Sequence, residues 1–513
     1  MQATSPTYNP YPDARFSELE AAFKLIDTTA QADAVPFTAQ IEAFSKPQQL
    51  IDDNENTSVK WASFETDGWP IDGSCKLWGD DLTPYQMGVW TLPSDNTAGW
   101  AVNPTITFTF SQAHSSAAFT VCFDDKMNWY PQEMIISAYD GSGTLIISAT
   151  SQVSSVKQVV RMNTPYYRKV VIEFTKTRLP YQRVRVTEVI FGVVETYNRH
   201  NLSQASIKYQ LTPDASSFPS AELNITFDNS EKYYNFVSPN SVYAFLEQTQ
   251  PLDVRIGVGK DRVETEYINC GRFYFTSSGA EDGTLTARIT AHDQAYQLDN
   301  RVYRGGSTGT WTVAQALTAV INSSGLHIDT IVPSHIALRT INRCIPKDTK
   351  HREAIRLIAQ AARCMCYFNR FDQLVFAEPV IGSPIDCLDH NNMPQPAQVT
   401  VGERFNTIEL TVRNSYANTE TLFTSSNPGI NETIQTRQVA NPLAYEGQQV
   451  ADWLLLMSQN RINYRLLERG NPAREIADTV KIYDNYGENK DAMVTGQSFI
   501  YDGALSAESV AWR

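Results

Sequence analysis

Between about residues 58 and 193, apolar side chains recur in short alternating or continuous runs, at 105–110, 118–123, 133–139, 144–149, 169–174 and 184–191, with turn signals between them. Successive side chains of a strand point to opposite faces, so a run of this period buries one face only as part of a sheet. Gly141-Ser142-Gly143 supplies a turn between two of the runs. With no helical period among them, these runs predict an antiparallel β-sandwich of jelly-roll type over residues 51–194. A second β-rich region covers 195–300. There Leu223, Ile225 and Phe227 alternate with Asn224, Thr226 and Asp228, and Leu285, Ala287 and Ile289 alternate with polar residues after a turn at Asp282-Gly283. That pattern predicts a twisted sheet or small barrel.

Helical period is confined to three other places. Within 1–50, Asp13 stands where it would cap a helix carrying Phe16, Leu19, Phe23 and Ile26 on one face, an amphipathic N-terminal arm. Residues 301–396 read as a small α+β unit. Thr310 begins one helix, with Val313, Leu317, Val320 and Ile321 on a stripe and Gly325 just past its end. Thr349 begins another, with Ala354, Leu357, Ile358 and Ala361 facing one way, and strands at 365–368 and 373–377 flank a turn at 369–372. In 397–513 a strand at 407–412 leads into a Ser/Asn/Thr-rich stretch, 414–431, that reads as an exposed loop or flexible hairpin. A helix with Val450, Trp453, Leu454 and Met457 on one face and strands at 480–483, 493–501 and 505–511 complete a second barrel with an inserted helix. The expected class is mainly β with an α+β insert, and at roughly 150 residues per domain one core cannot serve 513 residues.

Asp and Glu outnumber Lys and Arg by 56 to 42, a net charge of −14. That balance disfavours partners held by sequence-independent attraction to phosphate, whether nucleic acid or an anionic membrane. No stretch approaches the roughly 20 apolar residues of a membrane-spanning helix. The start, Met1-Gln2-Ala3-Thr4-Ser5-Pro6, has neither the positive charge nor the apolar run of a secretory signal, so synthesis in the cytoplasm is expected. Seven cysteines, an odd number scattered through apolar surroundings, read as reduced core residues.

Gly305-Gly306-Ser307-Thr308-Gly309 has the spacing of a hydrolase nucleophile elbow, which needs a strand before the serine and a helix directly after it. The run at 297–303 makes a poor buried strand, and a flexible Gly/Ser connector accounts for the motif. Cys364-Met365-Cys366 has one spacer rather than two, which puts both thiols on one face of a strand and suits packing. The seven histidines show no metal-binding spacing. Asp124-Asp125 and Asp386 with Asp389 are acidic enough for calcium but lack the loop that wraps the ion. No catalytic residue, cofactor or metal ligand is assigned, and the chain reads as a non-enzyme. Aromatics cluster in the first β domain. On sandwich loops they can stack on sugars, and in the interior they pack. Trp69, Trp78, Trp90, Trp129 and Tyr130 are the candidate glycan or partner contacts.

Ordered blocks run along nearly the whole chain. The first β domain carries Val59-Lys60-Trp61-Ala62-Ser63-Phe64-Glu65, Ile71-Asp72-Gly73-Ser74 and Arg183-Val184-Arg185-Val186-Thr187-Glu188-Val189. Further on come Pro219-Ser220-Ala221-Glu222-Leu223, Gly271-Arg272-Phe273-Tyr274-Phe275, Ala291-His292-Asp293, Ile345-Pro346-Lys347 with His351-Arg352-Glu353-Ala354, Arg469-Gly470-Asn471-Pro472 and Tyr501-Asp502-Gly503-Ala504-Leu505. In these blocks the chain resembles the hub-type tail proteins of bacteriophages and related tail-like particles, in the form with a discoidin-like domain at its front. The resemblance implies a virion protein of the tail baseplate or tip, a homotrimer whose two tail-tube-like barrels per chain offer six near-equivalent positions to a sixfold tube. It implies as partners the tail tube or a distal tail protein, the tape-measure protein and other baseplate, tip or spike proteins, with cell-wall glycan as a further ligand and no sequence-specific nucleic acid. A negatively charged channel would let DNA pass without sticking. The rival expectation is a carbohydrate-binding or hydrolytic tail protein acting on the host envelope.

Overall fold

The computed structural model describes residues 1–51, 87–124, 129–235, 241–242, 245–248, 250–280, 284–414, 416–429, 433–483 and 489–513, and it is mainly β with an α+β insert. It contains two compact units, one of Met1–Ala22, Thr196–Asn235 and Pro251–Arg513, the other of Phe23–Glu195 and Phe236–Gln250.

In the second of these, the strands lie in the order Val89–Trp90, Arg185–Ile190, Thr105–Phe123, Lys157–Thr177, Pro131–Tyr139 and Leu145–Gln152, with Val35–Ala39 also paired on Thr105–Phe123. The runs expected at 105–110 and 118–123 are the two ends of one 19-residue strand. Its register against Lys157–Thr177 shifts three times between Thr109 and Ala118. Such bulges bend a strand, so its ends can serve different neighbours. One end pairs with Val35–Ala39, the other with Arg185–Ile190. At the bend Phe110 meets Tyr167 and Phe191 edge to face, with ring centroids 5.2 and 5.1 Å away, a geometry worth about 1 kcal/mol per pair beyond area burial.

The larger unit is built on a sheet ordered Gln398–Val401, Ile462–Glu468, Leu505–Trp512, Lys490–Tyr501, Leu202–Gln210, Glu222–Asp228, Thr286–His292, Glu266–Gly279 and Pro251–Gly259, with Phe16–Ile26 beside the last of these. The β regions expected at 195–300 and 397–513 are therefore hydrogen-bonded into one sheet. Their seam pairs 205–210 with 496–501, where buried Ile207 stands opposite buried Phe499. Turns at Asp282-Gly283 and Tyr486-Gly487 fall outside the described residues.

The helical arm expected within 1–50 is corrected. Phe16–Ile26 is a strand whose burial alternates through Leu19, Ala21, Phe23 and Leu25. The run satisfies both periods, since 16, 19, 23 and 26 are helical spacings. An isolated helix of this length is marginal in water, whereas two strand neighbours satisfy its backbone and bury four apolar side chains. The helix nearby is the short Thr28–Asp33, capped by Asp27.

In the α+β part, Val313–Ser324 is capped by Thr312 rather than Thr310, through a reciprocal box with Gln315, and ends at Gly325 with φ +69°. His351–Ala361 packs beside it, and Val313, Leu317, Val320, Ile355, Ile358 and Phe376 share one apolar core. Strands Met365–Phe368 and Gln373–Ala377 flank the turn at 369–372. Of the expected stretch 414–431, the described residues take the hairpin form, with Thr419–Ser426 paired to Thr407–Asn414. Helix Gly447–Gln459 lies on that small sheet, where its Val450 and Leu454 share a core with Ile408 and Leu410.

Candidate functional site

Trp90 and Trp129 are buried, with ring centroids 5.0 Å apart at 78°, and Trp90 Nε1 donates to the Met87 carbonyl. Above the Trp90 face, 5.1 Å from its centre, sits the Arg185 guanidinium. Arg185 and Asp124 have no exposed side-chain area and form a 2.9 Å ion pair. Burial closes both indole faces to a sugar, so these two candidates are corrected to packing residues. Asp124, a candidate calcium ligand, is committed to Arg185, and Asp125 lies outside the described residues, as do Trp69 and Trp78. Tyr130 is half-buried, with Arg178 4.7 Å over its ring.

Two polar centres organise the larger unit. At the first, Asp293 caps the helix Gln294–Gln297 and accepts from Ala295 N, Ser220 Oγ at 2.6 Å and Ala221 N at 2.9 Å. Complete burial outweighs these donors and pushes its carboxyl up to about 6. Beside it Asp372, from the 369–372 turn, accepts from Tyr274 Oη at 2.5 Å and Gln294 Nε2 at 2.9 Å. Burial, with the Asp293 charge added, raises Asp372 to about 6 as well. Its Oδ1 and the Gln294 Oε1 are buried without a hydrogen-bond partner among the described residues. Arg352 donates to Phe218 O and pairs with Asp299 at 2.8 Å. The blocks at 219–223, 291–293 and 351–354, far apart in sequence, thus meet in one place.

At the second centre Arg474, fully buried, pairs with Asp386 at 2.9 Å and with Glu468, and it donates to Ser509 Oγ. Asp386 also accepts from Tyr11 Oη and Asn471 Nδ2, and Tyr8 Oη donates to Asn471 Oδ1. Arg15 donates to the carbonyls of Arg469 and Gly470, while Arg469 returns a bond to Pro12 O. Burial, with Arg469 nearby, lowers Arg15 to about 10. Arg370, also buried, donates to Pro472 O, Arg474 O and Gln497 Oε1. Gly470 sits at φ +83° with an added Cβ 2.8 Å from the Ala507 side chain, which leaves no room for a side chain there. The block Arg469-Gly470-Asn471-Pro472 is therefore a clamp that ties residues 8–15 and the 369–372 turn to the sheet.

The Gly305-to-Gly309 motif is a loop between Val302–Tyr303 and Thr310–Thr312, and Ser307 Oγ donates to Thr308 O. The strand-to-helix turn of a nucleophile elbow is not formed. Cys364 and Cys366 are both buried, and burial raises both thiols, Cys366 to about 12. Sequence reasoning missed the Ser323 Oγ to His351 Nε2 contact at 2.9 Å, in which His351 Nδ1 also faces Arg301 O and Ser323 donates to Val320 O. That arrangement joins one helix end to the next. What the two centres can do chemically is neutralise buried charge and join distant segments. Among the described residues no group of three or more His, Cys, Asp or Glu could hold a metal ion. No described helix is long and apolar enough to cross a membrane.

No family model matches the sequence, and no curated protein matches it. Among solved structures, the chain is similar to the tail protein from Neisseria meningitidis MC58, with 13% identity and a TM-score of 0.44 over 62% of this chain and 93% of that one. The 43 kDa tail protein of prophage MuSo2 from Shewanella oneidensis gives 14% identity and a TM-score of 0.43 over 62% and 93%. Over 34% of this chain there is a likeness to the family 32 CBM from C. perfringens NanJ in complex with galactose, with 16% identity and a TM-score of 0.20 over 99% of that chain.

Proposed function

We propose that this chain is a structural hub of a bacteriophage-type tail tip, a homotrimer that adapts a sixfold tail tube to the tip and lets DNA pass. The observation that carries the reading is the seam between 205–210 and 496–501, which places two β regions of one chain in a single sheet. Three copies then offer six such regions, and closed threefold symmetry can meet a sixfold partner. The resemblance to hub-type tail proteins supports it, because the blocks 219–223 and 291–293 meet at Asp293 and the block 469–472 lies at Arg474. In this reading the protein belongs to the virion. Its partners are the tail tube or a distal tail protein, the tape-measure protein and neighbouring baseplate, tip or spike proteins. The net charge of −14 keeps DNA from adhering to the channel. The front sandwich, with Trp69, Trp78 and Tyr130, contacts other baseplate proteins or cell-wall glycan. Light scattering on the purified chain, with a low-resolution image of it in a particle, tests the proposal: three copies on the tube axis are expected. A monomer, or a seat away from that axis, overturns it.

A further inference from the structure

Residues 301–363 hold nine Lys or Arg against three Asp or Glu, a surplus of six positive charges, which leaves a net −20 on the other 450 residues. Four of those cations are spent inside the fold, as Arg339 on Glu378, Arg352 on Asp299, Arg356 on Glu353 and Arg363 on Glu446. Arg304, Arg343 and Lys347 are exposed and have no carboxylate partner among the described residues. The backbone brings them together. Val302 pairs with Lys350 and Tyr303 with Thr349, Ser307 N donates to Arg343 O, and Arg343 N donates to Gly309 O. The loops 301–309 and 343–350 therefore run side by side. Lys350 adds a fourth exposed cation at 3.9 Å from Asp299, a carboxylate already held by Arg352 at 2.8 Å. Asp348 is the one acid within the pair of loops.

In a chain with this excess of acid, cations left unpaired on adjacent loops are an unfilled electrostatic complement. We propose that the loop pair 301–309 and 343–350 is a basic contact face that takes the acidic surface of a second copy of this chain. The inference rests on the trimeric reading above and adds to it the face through which the α+β part grips a neighbour. Charge complementarity argues for that occupant, because any other copy presents the net −20 of its remaining residues. Exposed charge pairs of this kind are screened by salt, and reversing two of them at once turns attraction into repulsion, so assembly through this face should depend on both salt and charge.

The test uses the full chain, with Arg304→Glu/Lys347→Glu as the main variant. It leaves Arg343 in place over the Trp311 ring, 5.1 Å away. Arg304→Gln/Lys347→Gln serves as the neutral control, and unfolding midpoints establish that both fold. Sedimentation at low and high salt should show the wild-type assembly weakening at least tenfold as salt rises. At low salt the Glu variant should dissociate at least tenfold more readily than wild type, with the Gln variant between. A Glu variant within twofold of wild type overturns the proposal and leaves the hub reading standing. A wild type that stays monomeric overturns both. Titration with a duplex DNA oligonucleotide supplies the last arm: lost DNA binding with self-association unchanged would make this a phosphate-binding face and end the proposal.

Discussion

Arg474 has no exposed side-chain area, and its guanidinium is shared between Asp386 and Glu468, the latter also buried. Removing one member of such a pair leaves the other as a buried, uncompensated charge, so Arg474→Met should cost about 3–5 kcal/mol of stability in a urea titration. Glu468→Gln on that background should recover part of the loss, whereas an additive further loss would mean the two residues act separately. Asp372 gives a pH dependence. Its folded-state value near 6 lies above that of an unfolded carboxyl, because burial disfavours the charged form. The favourable contribution is complete below about pH 4 and is lost as pH rises through 6, on the order of 2 kcal/mol. Asp293, Tyr274 and Arg272 face the same spot, and Asp293 titrates in the same window. Asp372→Asn should match wild type near pH 4 and exceed it near pH 7.5, and an unchanged difference across that range would refute the assignment. At this scale the sequence is least legible. An indole looks the same whether its face is open or, as at Trp90 and Trp129, closed by a neighbour. Arg370 and Arg474 carry no local sign of burial, because what buries them is assembled from backbone carbonyls and from side chains on other strands, Asp386 and Gln497 among them.

The seam strand Leu202–Gln210 lies between two neighbours, so each backbone N–H within it has a ladder role. Lys208 points outward, and Lys208→Pro removes a donor there with little loss of packing. It should lower stability by about 2–4 kcal/mol and open the seam to limited proteolysis, whereas Lys208→Thr should be near neutral. A milder effect is expected at the helix Val313–Ser324, where Thr312→Ala removes half of a capping box and should cost about 1 kcal/mol by thermal denaturation. Elements with one clear period were legible: the strands at 365–368 and 373–377, the helix on Val450 and Leu454, and the hairpin turn at 141–143 all formed. The segment 16–26 was not, because it satisfies helix and strand spacing together, and only pairing with strands distant in the sequence decides it.

For the whole molecule, the period of the apolar runs pointed to a mainly β chain, but pairing between distant regions is not a property of any local window. That the two β regions are hydrogen-bonded to each other along 205–210 and 496–501 was therefore not legible in either one alone. That pairing also sets an order of events during synthesis. Leu505 N donates to Ser17 Oγ across 488 residues of chain, and the strands that close the sheet emerge from the ribosome last among those it contains. At about 5–20 residues per second, the seam strand Leu202–Gln210 waits on the order of half a minute for its partner Lys490–Tyr501. Over that interval its open edge is an aggregation hazard, so nascent chains of this protein should depend on holdase chaperones until translation of the closing strands is complete.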